Sequence, residues 1–419
     1  MENRAALLRR RYARQRRFAV MSGICIAAAA IFLGALASSV AVRGWRGFLQ
    51  SSARLDIFLD AKVIGAQGEK SALAYRRLIR KTLLNEFPEA KNRNDKKYAR
   101  NIAGAEAGVV LRAVVRDNPD NIGKLIPVWL PAGALAESYF KNAADADALR
   151  LRGVPETHIA RLKMLKENGR TRTAFNWGFF RNADSRNAES AGIGGALLGS
   201  LYTLLLAFAV SFPLGAAAAV YLELFAPRGP RWRRFLDIVE ININNLAAVP
   251  SVIFGLLGLA VFINVFNMPR SSSLVGGLVL ALMTLPTIII AARAALKSAP
   301  PSLLAAALSL GASRMQGVFH HVLPAAMPGI LTGAILGMAQ ALGETAPLLM
   351  IGMVAFIADA PSGITDAATA LPVQIFLWAD SPERGFAERT ATAILVLLGF
   401  LIAMNAAAAV LRRKMEMKW

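Results

Sequence analysis

The 419-residue chain has one cysteine, Cys25, and it lies inside an apolar run, so no disulfide framework can brace any part of the molecule. Signatures of group transfer are missing as well. There is no Walker phosphate loop, no His-Glu-x-x-His zinc site and no Gly-x-Ser-x-Gly nucleophile elbow. Nothing in the chain therefore supplies hydrolysis; no cofactor and no metal is expected, and any energy must come from a partner. The run GAQGEKS (Gly65–Ser71) fails the Gly, four residues, Gly-Lys-Ser/Thr spacing of a phosphate loop. His320 and His321 are adjacent, and neighbours on a helix point about 100° apart, which is poor geometry for a shared metal and reads as loop surface. Acids are also scarce: 27 Asp and Glu stand against 48 Lys and Arg, for a net charge of +21. The basic residues cluster beside apolar runs rather than among aromatics, which points away from nucleic acid and toward membrane orientation and anionic lipid.

What the chain has in abundance is apolar length. Its hydrophobic content is 55%, too high for an ordinary globular protein, and it is gathered in long runs. These are Phe18–Val42, Ile193–Phe225, Ile241–Phe266, Leu274–Leu296, Ala325–Ile357 and Thr390–Leu411, each long enough to cross a bilayer. The first, of about 25 residues, exceeds the roughly 7–15 of a signal-peptide core and reads as a retained span, with cleavage near Ala35-Leu36-Ala37 as the rival reading. Basic flanks at RRRYARQRR, RGPRWRR (Arg228–Arg234), Arg293–Lys297 and RRKMEMK (Arg412–Lys418) place both termini in the cytoplasm.

Residues 43–191 hold no spanning run and read as a mildly basic, mostly helical domain on the far side of the membrane. Tyr75, Leu78, Ile79, Thr82, Leu83 and Phe87 recur at helical spacing. A second helix is expected from Pro155, through Ile159, Leu162 and Leu165, to a stop at Gly169. Such a basic domain could gather anions or dock a binding protein, or be no more than a solvated surface.

The stretch Pro300–Met353 is the most pointed. Pro300 and Pro301 suit the start of a short helix that Ser302 could cap, and Ala305, Ala306, Ala307 and Gly311 give it little bulk. That suits insertion into a groove on a partner, or a tight turn between two membrane helices. A span beginning at Leu323-Pro324 carries one acid, Glu344, in its middle, where a charge costs at least a few kcal/mol. Gly329, Gly333 and Gly337 repeat every four residues, as a close helix contact requires. Pro347 cannot donate to the Gly343 carbonyl, so a bend is expected beside Glu344.

The run AAALSLGASRMQGVFHHVLP, within a loop at about 298–324, resembles the cytoplasmic coupling loop of ABC-importer permeases. Their pattern is Glu-Ala-Ala, three residues, Gly, nine residues, an aliphatic residue, any residue, Leu-Pro. Gly311, Leu323 and Pro324 fall in register, while Ala305 replaces the usual Glu and His321 the usual aliphatic residue. LGETAPLL (Leu342–Leu349) and LPVQIF (Leu371–Phe376) are similar to the A-type permease subunit of the bacterial phosphate-specific transporter. The likeness covers about Gly192 to the C-terminus, and the preceding block resembles an extra domain carried by one branch of that family.

The resemblance implies an all-α polytopic inner-membrane protein of six transmembrane helices, a type I permease core of five preceded by one extra span. It would be the non-catalytic half of a phosphate pathway, paired with a C-type permease subunit, two ATP-binding subunits and an extracytoplasmic phosphate-binding protein. Ala305, Ala306, Ala307, Gly311, Leu323 and Pro324 would couple to the ATPase, and Gln340, Gly343, Glu344, Thr345 and Pro347 would line the pathway. Gln340 stands where the family often has a base four residues before the acid, so Glu344 must pair elsewhere or be protonated. Arg293, or a base of the second permease, could serve. Two other readings remain: a permease for sulfate, molybdate or tungstate, and a membrane-anchored receptor, which would need a cytoplasmic output domain.

Overall fold

The computed structural model describes residues 2–65, 71–90, 92–141, 144–227, 229–354, 356–383 and 385–415, so Ala66–Lys70 of the GAQGEKS run lie outside the described residues. Helix α1 (Glu2–Gly44) has 43 residues, about 65 Å at about 1.5 Å per residue, or twice a bilayer's apolar core. Its apolar stretch is exposed on all sides. The chain then turns at a corner pressed against the last helix: a Cβ on Gly47 would lie 1.9 Å from Thr392 Oγ1, so only glycine fits. Thr392 also donates to the Gly44 carbonyl at 2.8 Å.

The domain that follows is built on strand β1 (Leu49–Phe58). After it come α2 (Ala61–Ile64), α3 (Ala72–Glu86), α4 (Arg93–Arg100), α5 (Ala107–Asp117), β2 (Leu125–Pro131), α6 (Ala134–Phe140), α7 (Ala146–Leu151), α8 (Glu156–Glu167), β3 (Thr171–Phe175) and α9 (Trp177–Arg181). The strands form an antiparallel sheet of order β2-β1-β3, in which Ser52 lies opposite both Pro131 and Arg172. On β1, Ser51, Ala53, Leu55 and Ile57 alternate inward. The helices cover that face. Helix α3 buries Tyr75, Leu78, Ile79 and Leu83, and α8 buries Ile159, Leu162 and Leu165 before Gly169 stops it at φ +64°, as their periodicity predicts. The sheet itself is a feature that the sequence reading did not reveal.

Helix α10 (Gly194–Val220) continues into a wide π turn, Tyr221–Phe225. Helices α11 (Pro230–Ala247) and α12 (Ser251–Leu257) then meet at a 101° bend. The run Ile241–Phe266 is therefore not one straight span: Pro250 lacks an N–H and restricts Val249, so the helix breaks there. Next come α13 (Ser273–Ser298), α14 (Pro301–Ser309), α15 (Arg314–Gly317), a π turn at Val318–Val322, and α16 (Leu323–Gly343). Helices α17 (Ala346–Met350), α18 (Leu371–Ala379) and α19 (Gly385–Met415) complete the chain. Among the described residues, five helical segments are long and apolar enough to cross a membrane, or six if the bent pair is one crossing. The expected span Ala325–Ile357 starts earlier, at Arg314, and ends at Gly343, because Glu344 is extended at φ −77°, ψ 125°.

The glycine repeat does what small residues do at helix crossings. Cβ atoms built on Gly329 and Gly333 would lie 2.6 and 2.2 Å from the Cβ atoms of Ala295 and Ala291, so α16 and α13 touch nearly backbone to backbone.

A buried charge cluster joins the domain to the membrane helices. Arg389, near the start of α19, donates to the carbonyls of Ala188 (2.9 Å), Gly47 (3.0 Å) and Glu189 (3.2 Å). Its guanidinium also lies 3.6 Å from the Glu137 carboxylate of α6. Lys141 bridges Glu137 at 2.6 Å and Glu388 at 3.0 Å. Burial raises the pKa of Glu137, opposed by Lys141 and Arg389. One side chain thus ties together the exit of α1, the domain, the connector 182–192 and α19.

Candidate coupling loop and pathway face

The loop between α13 and α16 is two short helices around a glycine. Pro300 is the residue before the first helical one and Ser302 makes no capping bond, so the expected Ser302 cap is not formed. The end of α14 is closed by backbone alone: Ala312 N–H donates to Ala307 O at 3.1 Å and Gly311 N–H to Leu308 O at 3.0 Å. That closure needs a left-handed residue, and Gly311 supplies it at φ +85°. Helix α15 starts at once with a capping box, Ser313 Oγ accepting from Gln316 N–H and Gln316 Oε1 from Ser313 N–H.

The three alanines do not share a face. Ala305 and Ala306 are exposed, but Ala307 is turned inward, where a Cβ on Gly317 would lie 3.4 Å from it and 2.8 Å from Leu304 Cδ1. Ala307 therefore holds α14 against α15 rather than offering a surface. The exposed tip is formed instead by Leu308, Leu310 and Met315, with Leu310 90% exposed. Sequence reasoning missed these, although a glycine helix stop necessarily presents the residue before it. Leu323 packs with Val318, Val322 and Ala326, and Pro324 sits in the first turn of α16. His320 and His321 are exposed, and His320 Nδ1 lies 3.1 Å from Gln316 O.

Arg293 is not the partner of Glu344. It bridges Glu223 Oε1 (2.5 Å) and Glu240 Oε2 (2.8 Å), near the loop end of α13. Glu344 lies at the other end of α16, whose 21 residues span about 31 Å. The carboxylate therefore follows the last residue of α16 rather than lying within the helix. Among the described residues it has no hydrogen bond or ion pair and is half-buried.

Gln340 and Gly343 are exposed on the last turns of α16, and Thr345, just past its end, is half-buried. Pro347 is buried under α12, where a Cβ on Gly255 would lie 2.7 Å from its Cα. The two family-like motifs converge. Leu342 and Leu348 of one and Pro372 of the other line a void of about 10 Å³ with Ser200 and Thr203 of α10. Ser200 Oγ accepts from Leu371 N–H at 2.7 Å, and Thr203 Oγ1 has no partner among the described residues. The space is about one water's worth. A larger cavity of about 250 Å³, lined by Leu205, Phe208, Ile335, Met338, Phe400 and Met404 among others, offers an oxyanion no donors.

Several apolar crossings, a helix broken beside an acid and a helix-glycine-helix loop between two crossings define a polytopic membrane protein of the transport type. Residues 211–417 match the family described as binding-protein-dependent transport system inner membrane component, and the chain belongs to that family of permeases. Residues 5–149 match a domain of unknown function, DUF3333. The chain is 32% identical over 183 residues to a probable ABC transporter permease protein, YqgI of Bacillus subtilis, which covers 43% of this chain and 60% of that protein. It thus spans less than two thirds of that relative's length. It is 30% identical over 217 residues to a phosphate transport system permease protein, PstA of Mycobacterium leprae, covering 52% of this chain and 69% of that one. Among solved structures, an inward-facing MetNI methionine ABC transporter gives a TM-score of 0.43 at 17% identity, covering 54% of this chain and 98% of that chain. That likeness is too distant to carry a residue correspondence.

Proposed function

We propose that this chain is the transmembrane permease subunit of an ABC importer for inorganic phosphate, forming half of the pathway and leaving ATP hydrolysis to its partners. The observation that carries the reading is the loop at Gly311, which presents Leu308, Leu310 and Met315 to a partner between two membrane helices. The named phosphate relatives and the LGETAPLL and LPVQIF motifs support the substrate. The partners would be a second permease subunit, two ATP-binding subunits on the loop and an extracytoplasmic phosphate-binding protein. Both termini and the loop would be cytoplasmic, with residues 43–191 outside. Gln340, Gly343, Glu344 and Thr345 would face the pathway. The Glu344 carboxylate would accept a hydrogen bond from the acidic hydroxyl of hydrogen phosphate, which fully ionised sulfate lacks.

The test is ATP hydrolysis by the assembled complex in vesicles, stimulated by phosphate or by sulfate. Gly311→Val forces a β-branched residue into a left-handed backbone, at about 1–2 kcal/mol, and re-aims Leu310. Phosphate stimulation should be lost while insertion of the chain is kept. Unchanged stimulation in Gly311→Val would refute the docking role, and equal stimulation by sulfate would refute the substrate.

A further inference from the structure

A continuous series of contacts runs from the loop to a helix that the loop does not touch through any described polar contact. Arg314, the first residue of α15, reaches the end of α10, where its guanidinium donates to the Leu224 carbonyl and lies 5.7 Å from the Phe225 ring. Leu224 belongs to the π turn Tyr221–Phe225, and its neighbour Glu223 accepts from Arg293 Nε at 2.5 Å. Glu223 also lies 3.5 Å from Lys297 Nζ. The far side of the Arg293 fork, Nη2, donates to Glu240 on α11 at 2.8 Å. The central link is shielded, with the side chains of Arg293 and Glu223 14% and 15% exposed. Helix α11 buries none of its residues, and Glu240–Arg293 is its one ion pair among the described residues.

We infer that Arg314, Glu223, Arg293 and Glu240 are positioning residues that make the placement of α11 depend on the placement of the loop. A guanidinium is a rigid planar fork, so Arg293 cannot follow Glu223 without pulling on Glu240. The π turn is the yielding piece: its hydrogen bonds are wider than those of an α-helix, and such turns recur at functional sites. A push on α15 moves Leu224 and Glu223 as one backbone unit, and the fork passes that movement to α11. The role of this linkage in transport rests on the loop's being the ATPase contact; the linkage itself does not.

The test separates the two. Hydrogen–deuterium exchange across 230–247 is measured on the full chain alone in detergent, for the parent, Arg314→Met, Arg293→Met and the double variant. Arg314→Met should speed exchange in α11 by about 2- to 30-fold, the range of couplings carried by packed networks. The double variant should exchange no faster than Arg293→Met, because one series of contacts has been cut twice. Arg314→Lys should restore part of the protection. Unchanged α11 exchange in Arg314→Met, or additive effects in the double variant, would overturn the linkage whether or not the chain is a permease. In the assembled complex, Arg314→Met should lower phosphate carried per ATP hydrolysed while hydrolysis continues. A linkage intact by exchange but an unchanged ratio would overturn its role in transport alone.

Discussion

Replacing Arg389 with methionine should loosen the joint between the domain built on β1 and the last helix without unfolding either. The side chain is 3% exposed, and its loss leaves the carbonyls of Ala188, Gly47 and Glu189 without that donor. Removing one partner from a buried pair costs about 3–5 kcal/mol, but Glu137 keeps Lys141 at 2.6 Å, which favours the lower end. A loss of about 3 kcal/mol is a factor of about 100–200 in the ratio of open to closed joint. Amide exchange on the full chain reads this directly at Asn176, Gly192 and Ile193, whose N–H groups donate to Phe48, Ala183 and Phe179. Exchange should accelerate there by about that factor. Arg389→Lys should recover less than half of the protection, since an ammonium on a flexible stem cannot match a fork reaching three carbonyls. Unchanged exchange at those amides, even with a lower melting point, would refute the joint and leave Arg389 as a residue that matters only to α19.

Gly333→Val should lower the melting temperature of the detergent-solubilised chain, because its Cβ would fall 2.2 Å from that of Ala291 and overpacking of this kind costs about 1–3 kcal/mol. Ala291→Gly should restore part of it, and a parental melting temperature in the single variant would sink the crossing. In the domain, burial and the Arg161 charge hold the His158 pKa down at about 4. A depressed base stabilises the fold above its unfolded value near 6.5 and forfeits that as pH falls from about 6.5 toward 4, here by about 3 kcal/mol. His158→Phe should remove that acid sensitivity, measured as the pH dependence of domain unfolding; an unaltered dependence would assign it to other groups.

The parts legible in the sequence were those set by strong local patterns. The glycine repeat announced its close crossing, and α3 and α8 their buried faces, whereas Gly311, read only for its small bulk, proved to be the left-handed stop between two short helices. The sheet was hidden because β1 puts Ser51 and Ala53 inward, β2 carries prolines and β3 is an exposed edge, so none reads as alternating apolar residues. The bend at Pro250 was masked by hydrophobicity continuing through it. Arg293 looked like part of a basic flank, and Arg389 drew no reading, because charge alone does not show which carboxylates or carbonyls a fold will bring within reach. Glu344 was read as lying within one continuous helix because the apolar run continued past the helix end.

The two outer strands of the sheet differ in what they could recruit. Gly104 N–H donates to Pro131 O, so Pro131 points its backbone away from β1, and Pro127, four residues earlier on the same strand, points the same way. Two of the positions where β2 would offer an outward N–H to a newcomer are therefore blank, while Trp129 between them keeps its donor. A domain tethered to a membrane meets its own copies in two dimensions, at a local crowding that soluble domains escape. An edge stripped of alternate donors is a poor template for strand addition, so neighbouring copies can sit side by side without zipping into an extended sheet.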